Sequence, residues 1–331
     1  MSKSESSKEE NTEQSRRTFL TMAGVAAGGS LLAACSGGGS GEEENKTGEN
    51  GDGETSKESG IEIDGPEIEW DMAAAWPTAL DTLFGEEAGA QFISKRVSEL
   101  TNGKFVINAK PAGDLVDTAP AILQGVSNDS FAAGHTASYY NVGDEPTTAF
   151  SSAIPFGMST RQINAWWYHG GGREVMREFY KNEYNVITFP AGNTGQQMGG
   201  WWKTEINTVA DLQGKKMRAP GLGGEVMAKL GVAAEGGLGG EALQKLSSGN
   251  LDGVEFVGPI DDQRLGFQDA ANFYYAPGFW EPSTVLDMQI NLDQWNELPG
   301  FYQNIIESVT SESNLKLQAL YDAQNLSLIH I

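Results

Sequence analysis

The sequence has one cysteine and only three histidines in 331 residues, which removes most metal and redox chemistry at once. A lone Cys35 cannot build a disulfide framework. His135, His169 and His330 are too few and too scattered for a zinc site, and neither an HExxH nor a CxxC pattern occurs. No Gly-x-Ser-x-Gly elbow is present, so a serine hydrolase of that type lacks its nucleophile turn. Positive charge is scarce as well. Against 45 acidic side chains stand 22 basic ones, a net charge of −23, and from Ile61 onward the balance is 34 to 16. Such a surface offers no basic patch to nucleic acid or to anionic lipid. The acidic excess fits adaptation to high salt and an ordinary acidic exported protein equally well. Long apolar runs are missing too: the stretch from Phe19 to Ala34 is short and rich in Ala and Gly, unlike a membrane span.

What the first sixty residues do contain is an address. Ser15-Arg16-Arg17-Thr18-Phe19-Leu20 has the twin-arginine export pattern, and Leu32-Ala33-Ala34-Cys35 closes the apolar stretch as a lipobox. Residues 1–35 therefore read as a Tat signal with Cys35 as the lipidation site, which places the mature chain outside the cytoplasm, in the periplasm or on the outer face of the cell membrane, held by its lipid. Residues 36–60 are Gly, Ser, Glu, Asn, Asp, Thr and Lys without a large apolar side chain, the composition of a disordered acidic linker. At the other end, Leu326-Ser327-Leu328-Ile329-His330-Ile331 matches a translated sequencing adapter. These six residues are set aside from fold reasoning, with the expectation that the C-terminal helical segment is truncated.

Between those ends the body alternates. Ile68–Ala73 starts as a strand and stops at Trp76-Pro77. Gly85–Leu100 has helical spacing, Phe105–Ala109 is a strand, Ala119–Val126 a helix and Phe131–His135 a strand. One amphipathic helix is expected over Ile163–Tyr180, followed by the strand Val186–Pro190. The rhythm then repeats: strand Lys215–Arg218, helices Gly224–Leu230 and Glu241–Leu246, and strand Val254–Val257. Strand–helix–strand alternation predicts α/β lobes with largely parallel sheets, and two such units predict a cleft between them.

Four segments stand out as candidate cleft residues. Asn193-Thr194-Gly195-Gln196-Gln197-Met198-Gly199-Gly200-Trp201 is polar, glycine-rich and flanked by an aromatic. Arg218 ends a strand, where a guanidinium can fork onto a carboxylate. Glu255 beside Phe256, and Glu281 beside Trp280, are carboxylates embedded in apolar sequence at strand or loop ends. Gly221-Leu222-Gly223-Gly224 has no following lysine and reads as a helix entrance rather than a phosphate cradle.

Taken in order with Tyr139-Tyr140, Ile154–Met158 and Ala165–Gly172, these segments resemble the substrate-binding proteins of TRAP transporters. The similarity is to the DctP-type branch that takes 2-oxo and 2-hydroxy monocarboxylates with a cation, and it covers about residues 70 to 325. The resemblance implies an α/β, two-lobe periplasmic-binding-protein-like fold with mixed sheets, hinge strands and a long connecting helix. It allots 61–189 and about 258–290 to lobe I, and 190–257 and about 291–325 to lobe II and the connecting helix. It also implies the site. Arg218 clamps the substrate carboxylate, while Gln197, Tyr140, Tyr139, Asn193 and Phe256 contact substrate. Gln197, Glu255, Glu281 and the Phe256 carbonyl hold a Na or Ca cation. Phe256 stands where the family frequently has tryptophan, a change that spares a backbone ligand. Oxygen donors suit such a hard cation, and a positive ion between two buried carboxylates relieves their repulsion.

The expected function is thus capture without chemistry: a small carboxylate is bound with its cation and delivered to TRAP membrane permease subunits. The membrane is met through the lipid anchor alone, nucleic acid is not a partner, and a homodimer is compatible. Two alternatives stay open at this stage. One is a binding protein for amino acids serving an ABC-type importer. The other is a lipid-anchored enzyme using Glu255 and Glu281 as an acid/base pair.

Overall fold

The computed structural model describes residues 64–237 and 239–329. The export motif, Cys35 and the linker lie outside the described residues. The chain first forms β1 (Ile68–Ala74), a one-turn α1 (Asp81–Phe84), α2 (Ala90–Leu100), β2 (Phe105–Lys110), α3 (Ala121–Ser127) and β3 (Ala133–Thr136). Next come α4 (Thr160–His169), α5 (Gly172–Tyr184), β4 (Val186–Asn193), β5 (Trp201–Trp202), β6 (Lys216–Arg218), α6 (Gly221–Lys229), β7 (Ala233–Glu235) and α7 (Gly239–Ser247). The rest is β8 (Gly253–Val254), α8 (Pro259–Leu265), β9 (Phe273–Tyr274), β10 (Val285–Asn291), α9 (Leu292–Glu297) and α10 (Gly300–Ile329).

Two five-stranded sheets result, in the orders β2-β1-β3-β10-β4 and β7-β6-β8-β5-β9. In the first, β1 lies parallel to β2 and β3, each step crossing over through a helix as parallel pairing requires. The later strand β10 is antiparallel to both β3 and β4, so the sheet is mixed rather than largely parallel. All seven β10 residues are buried, including Asp287 and Gln289, so helices and loops cover both faces. The second sheet is also mixed: β6 is parallel to β7 and β8, and β5 is antiparallel to β8 and β9. A small core of Trp202, Met217, Met227 and Trp280 fills it, while the large core sits on the first sheet.

Several boundaries differ from the sequence expectation. The single helix over Ile163–Tyr180 is two helices. Gly170 caps α4, Gly171 takes φ +85°, and a side chain at Gly172 would strike the Trp166 ring, so the glycine run bends the chain between α4 and α5. The strand expected over Val254–Val257 stops at Val254, leaving Glu255, Phe256 and Val257 in the loop beyond it. β4 stays in the first sheet through Asn193, which pairs with Val285, so the crossing to the second sheet begins at Thr194 and not at Pro190. Within 258–290, β10 joins the first sheet but β9 pairs with β5 in the second. Helix α10, 30 residues and about 45 Å long, runs along β4 and α2 and reaches α8. It is tied at mid-length by Ser313 Oγ, which donates to the Ala191 carbonyl at 2.8 Å. Near its end the Tyr321 hydroxyl donates to Asp261 of α8 at 2.5 Å. Its helical backbone runs on through Ile329, into the segment set aside as adapter-like.

Candidate functional site

Three segments pass between the sheets side by side and hold one another by backbone hydrogen bonds. Thr194 N–H donates to the Thr284 carbonyl (3.0 Å), Gln197 N–H to Glu281 (3.1 Å) and Met198 N–H to Val257 (3.1 Å). Close approach is enforced at Gly278, where an added Cβ would lie 2.5 Å from the Met198 carbonyl oxygen. Gly200 adopts φ +82° against the Val254 carbonyl, a conformation that glycine takes without strain. The glycine-rich reading of residues 193–201 thus has its physical cause.

This weave sets six polar side chains in one buried cluster. Arg218 ends β6, next to the end of β8, and its carbonyl accepts from Glu255 N–H at 2.9 Å. Its Nη1 donates to Glu255 Oε2 at 2.8 Å and to the Glu255 carbonyl at 2.5 Å, and its Nε to the Gly237 carbonyl at 3.2 Å. The guanidinium lies 5.5 Å from the centre of the Phe256 ring. Gln197 Nε2 donates to Thr284 Oγ1 (3.0 Å) and Thr194 Oγ1 (3.2 Å), and the Thr284 hydroxyl in turn donates to the Glu281 carboxylate. Both glutamates are at most 5% exposed.

Burial sets the electrostatics. It pushes the Glu281 carboxyl up to about 7 and Glu255 well above its usual range, with the Glu281 charge adding to the second shift. Burial works against the Arg218 charge, but Glu255 together with Tyr140, Tyr139 and Glu281 outweighs it and the guanidinium stays protonated. Tyr139 is raised by burial and then by Glu281, which places its hydroxyl beside the same charges.

A narrow cleft adjoins this cluster. Arg218, Gln197, Thr194 and Thr284 form its polar wall, Tyr139, Tyr140 and Phe256 its aromatic rim, and Trp76, Leu83, Leu286 and Val257 the remainder. Of the residues expected here, Arg218, Gln197, Tyr139, Tyr140, Phe256, Glu255 and Glu281 do come together. Asn193 is placed differently. Its carboxamide oxygen accepts from Gly195 N–H (2.8 Å) and Ser283 Oγ (3.0 Å), which shapes the turn out of β4, and it does not line the cleft. Sequence reasoning missed Trp76, Leu83, Thr284 and Leu286. The one available signal was position: Trp76 follows the carboxyl end of β1, where α/β sheets commonly present ligand residues. The direct Arg218–Glu255 pair was also unforeseen.

The donor set fits a hard cation. Gln197 Oε1 and Glu255 Oε1 are both buried without a hydrogen-bond partner, a costly state for acceptors that no cation or donor occupies. No described residue donates to the Phe256 carbonyl. Among the described residues no group of three or more His, Cys, Asp and Glu converges, so the oxygens of Gln, two Glu and a carbonyl are what the cleft offers.

Two sheets joined by crossing strands, with a charged cleft at the crossing, define a two-lobed solute-binding protein. The chain belongs to the DctP family, described as bacterial extracellular solute-binding protein, family 7, whose profile matches residues 78–330. It is 46% identical over 267 residues to a monocarboxylate 2-oxoacid-binding periplasmic protein of Nostoc sp., covering 81% of this chain and 72% of that one. A TRAP transporter solute-binding protein from Bordetella bronchiseptica, with calcium and picolinate in its active site, superposes with a TM-score of 0.77 at 39% identity, over 80% of this chain and 78% of the other. Another from Pseudoalteromonas atlantica, with bound sodium and pyruvate, gives 0.75 at 36% identity over 80% and 78%. The protein is therefore an extracytoplasmic component of a TRAP transport system and not an enzyme. The ABC-importer and carboxylate-enzyme alternatives fall with that assignment.

Proposed function

We propose that this protein captures a small 2-oxo or 2-hydroxy monocarboxylate together with Na⁺ or Ca²⁺ and delivers it to the TRAP permease. The observation that carries the reading is one buried arginine lining a cleft, with two buried acceptors near it, Gln197 Oε1 and Glu255 Oε1, that have no hydrogen-bond partner. Arg218 supplies positive charge and fixed donors to the carboxylate; among the described residues no acceptor is bonded to its Nη2, which is free to take a carboxylate oxygen. Gln197, Glu255, Glu281 and the Phe256 carbonyl would hold the cation, whose contribution is to neutralise the paired carboxylates and bridge to the acid. Thr194 and Thr284 fix the Gln197 amide through its Nε2, leaving its oxygen unpartnered.

Closure follows from where the groups originate. Arg218 ends β6 and Glu255 follows β8 on the second sheet, Trp76 follows β1 and Tyr139 and Tyr140 follow β3 on the first, and Gln197 and Glu281 lie in the crossing segments. A ligand that touches all three favours the closed arrangement, the form presented to the permease. Micromolar affinity corresponds to about −8 kcal/mol, within reach of charge-assisted bonds plus coordination. The proposal extends to anchoring through Cys35 after twin-arginine export, supported by the order of the motifs in the sequence. It also extends to a homodimer, the form named for the Bordetella relative. Calorimetric titration of pyruvate with calcium or sodium present should show one-to-one binding that vanishes in Arg218→Ala. Binding indifferent to chelation and to sodium removal would overturn the cation's part. Mass spectrometry of the membrane-extracted protein tests the lipid on Cys35, and light scattering the dimer.

A further inference from the structure

We infer that Trp76 sets the length of acid the cleft accepts, and that His135 is the positioning residue that holds its indole in place. The inference rests on the carboxylate-binding reading above and deepens it. Trp76 is 5% exposed and walls the cleft, with its ring 6.4 Å from that of Tyr140. Its backbone is pinned by the Ala112 N–H, which donates to the Trp76 carbonyl at 3.0 Å. Its ring is pinned from behind. Trp76 Nε1 donates to His135 Nδ1 at 3.0 Å, and His135 Nε2 lies 3.1 Å from the Ala191 carbonyl.

The proton positions in this relay are determined by one fact. An indole nitrogen can only donate, so His135 Nδ1 must be the bare, accepting nitrogen and Nε2 must carry the proton to Ala191. The imidazole is thereby neutral and in a single tautomer. His135 is fully buried on β3, and burial lowers it to about 4, so this state holds over the neutral range. Ser313 Oγ from α10 donates to the same Ala191 carbonyl, so the connecting helix braces the relay from its far side.

The consequence for a ligand is geometric. Arg218 comes from the second sheet, and an acid held there extends toward the first-sheet side of the cleft. That side presents Trp76, Leu83 and Leu286, with Tyr139 and Tyr140 at the rim. Among Trp76, Leu83 and Leu286 only the indole N–H is polar, and it is engaged by His135. A second carboxylate or an ammonium group set against these three would find no partner among them, whereas a short alkyl group meets a rigid apolar wall. Discrimination among homologous acids in such a pocket is typically about 10-fold or more per methylene, and it requires a wall that does not yield.

The test is a calorimetric comparison of pyruvate, 2-oxobutanoate and 2-oxohexanoate on the full chain with calcium present. The quantity read is the ratio of affinities for the longest and shortest acid, which a merely structural defect would not shift. Trp76→Ala should raise that ratio in favour of 2-oxohexanoate by about 10-fold or more. Trp76→Phe, the milder change, should shift it in the same direction by a smaller factor. His135→Phe, which removes the acceptor, should also shift it, whereas His135→Gln, able to accept and donate at similar positions, should restore it to within about 3-fold of the parent. In the Trp76→Phe background, His135 substitutions should leave the ratio unchanged. Equal weakening for all three acids in both Trp76 variants, or a His135 effect that persists without the indole N–H, would overturn the inference while leaving the Arg218 reading intact. A parent protein that binds none of these acids would instead remove the reading on which it rests.

Discussion

Glu281→Gln separates two roles carried by one carboxylate. In the ligand-free protein the Glu281 carboxyl is buried, the Thr284 hydroxyl is its hydrogen-bond donor, and burial raises it from 4.5 to about 7. Keeping it charged at pH 8 therefore costs stability on the order of 3 kcal/mol. Glutamine preserves the shape, carries no charge, and can still accept from Thr284. Ligand-free Glu281→Gln should melt several degrees higher than the parent at pH 8. The advantage should shrink toward zero by pH 4, because below the unfolded value of 4.5 the parent carboxyl is protonated in both states. The same substitution removes one of two acidic oxygen donors offered to the cation. Calcium affinity, which follows ligand charge, should fall by about 100-fold. Scanning calorimetry with and without calcium, alongside calcium titration at saturating pyruvate, reads both effects. The reasoning fails if the ligand-free variant melts lower than the parent at pH 8, or if calcium binds it equally well.

Arg218→Lys keeps the charge but loses the planar fork and its contact with Phe256, so pyruvate affinity should drop about 10- to 100-fold with the fold retained; calorimetry with circular dichroism checks it. Asp261→Ala leaves the Thr82 and Tyr321 hydroxyls without their acceptor and loosens α8 from α10, which should cost about 2–4 kcal/mol in urea unfolding; a loss under 1 kcal/mol would contradict it. Burial also raises Asp262 and Asp287 to about 7 from 3.8, as it does Glu281. Folded values above the unfolded ones mean stability that is complete below about pH 4 and lost as pH rises through 7. The ligand-free melting temperature should accordingly fall from pH 5 to pH 8, and calcium with pyruvate should flatten the part due to Glu281. A midpoint that rises over that interval would refute the sign.

How much of the site could be read in advance depended on what kind of information each residue carries. Arg218 at a strand end, and Gln197 in a glycine-rich turn between aromatics, announce themselves through local pattern. Trp76 does not, because a Trp-Pro pair after a strand looks like any turn until α1 and β10 bring Leu83 and Leu286 up to it. Thr284 is similarly silent, since its value lies in bridging Gln197 to Glu281 across the crossing segments. The amphipathic stretch over Ile163–Tyr180 was legible as helix, but its periodicity carries across the glycine run at Gly170–Gly172 and hides the bend there. Asn193 has two sides: its oxygen serves the turn itself, while its Nδ2 is buried without a hydrogen-bond partner.

By itself the amino-acid order carried the expectation of an export address and a polar linker, and it determined the alternation of strands and helices and the oxygen-only chemistry left by one cysteine and three histidines. These are properties of composition and short-range period, and they survive without knowledge of neighbours. Only the tertiary structure decided that β10 would run antiparallel between β3 and β4, that the crossing would begin at Thr194, and that Arg218 would close on Glu255. The reason is that pairing register, loss of solvent and the convergence of distant carboxylates depend on groups far apart along the chain. Desolvation, which lifts Glu255 and Glu281 and leaves two acceptor oxygens waiting for a positive charge, exists only once both sheets have closed around them.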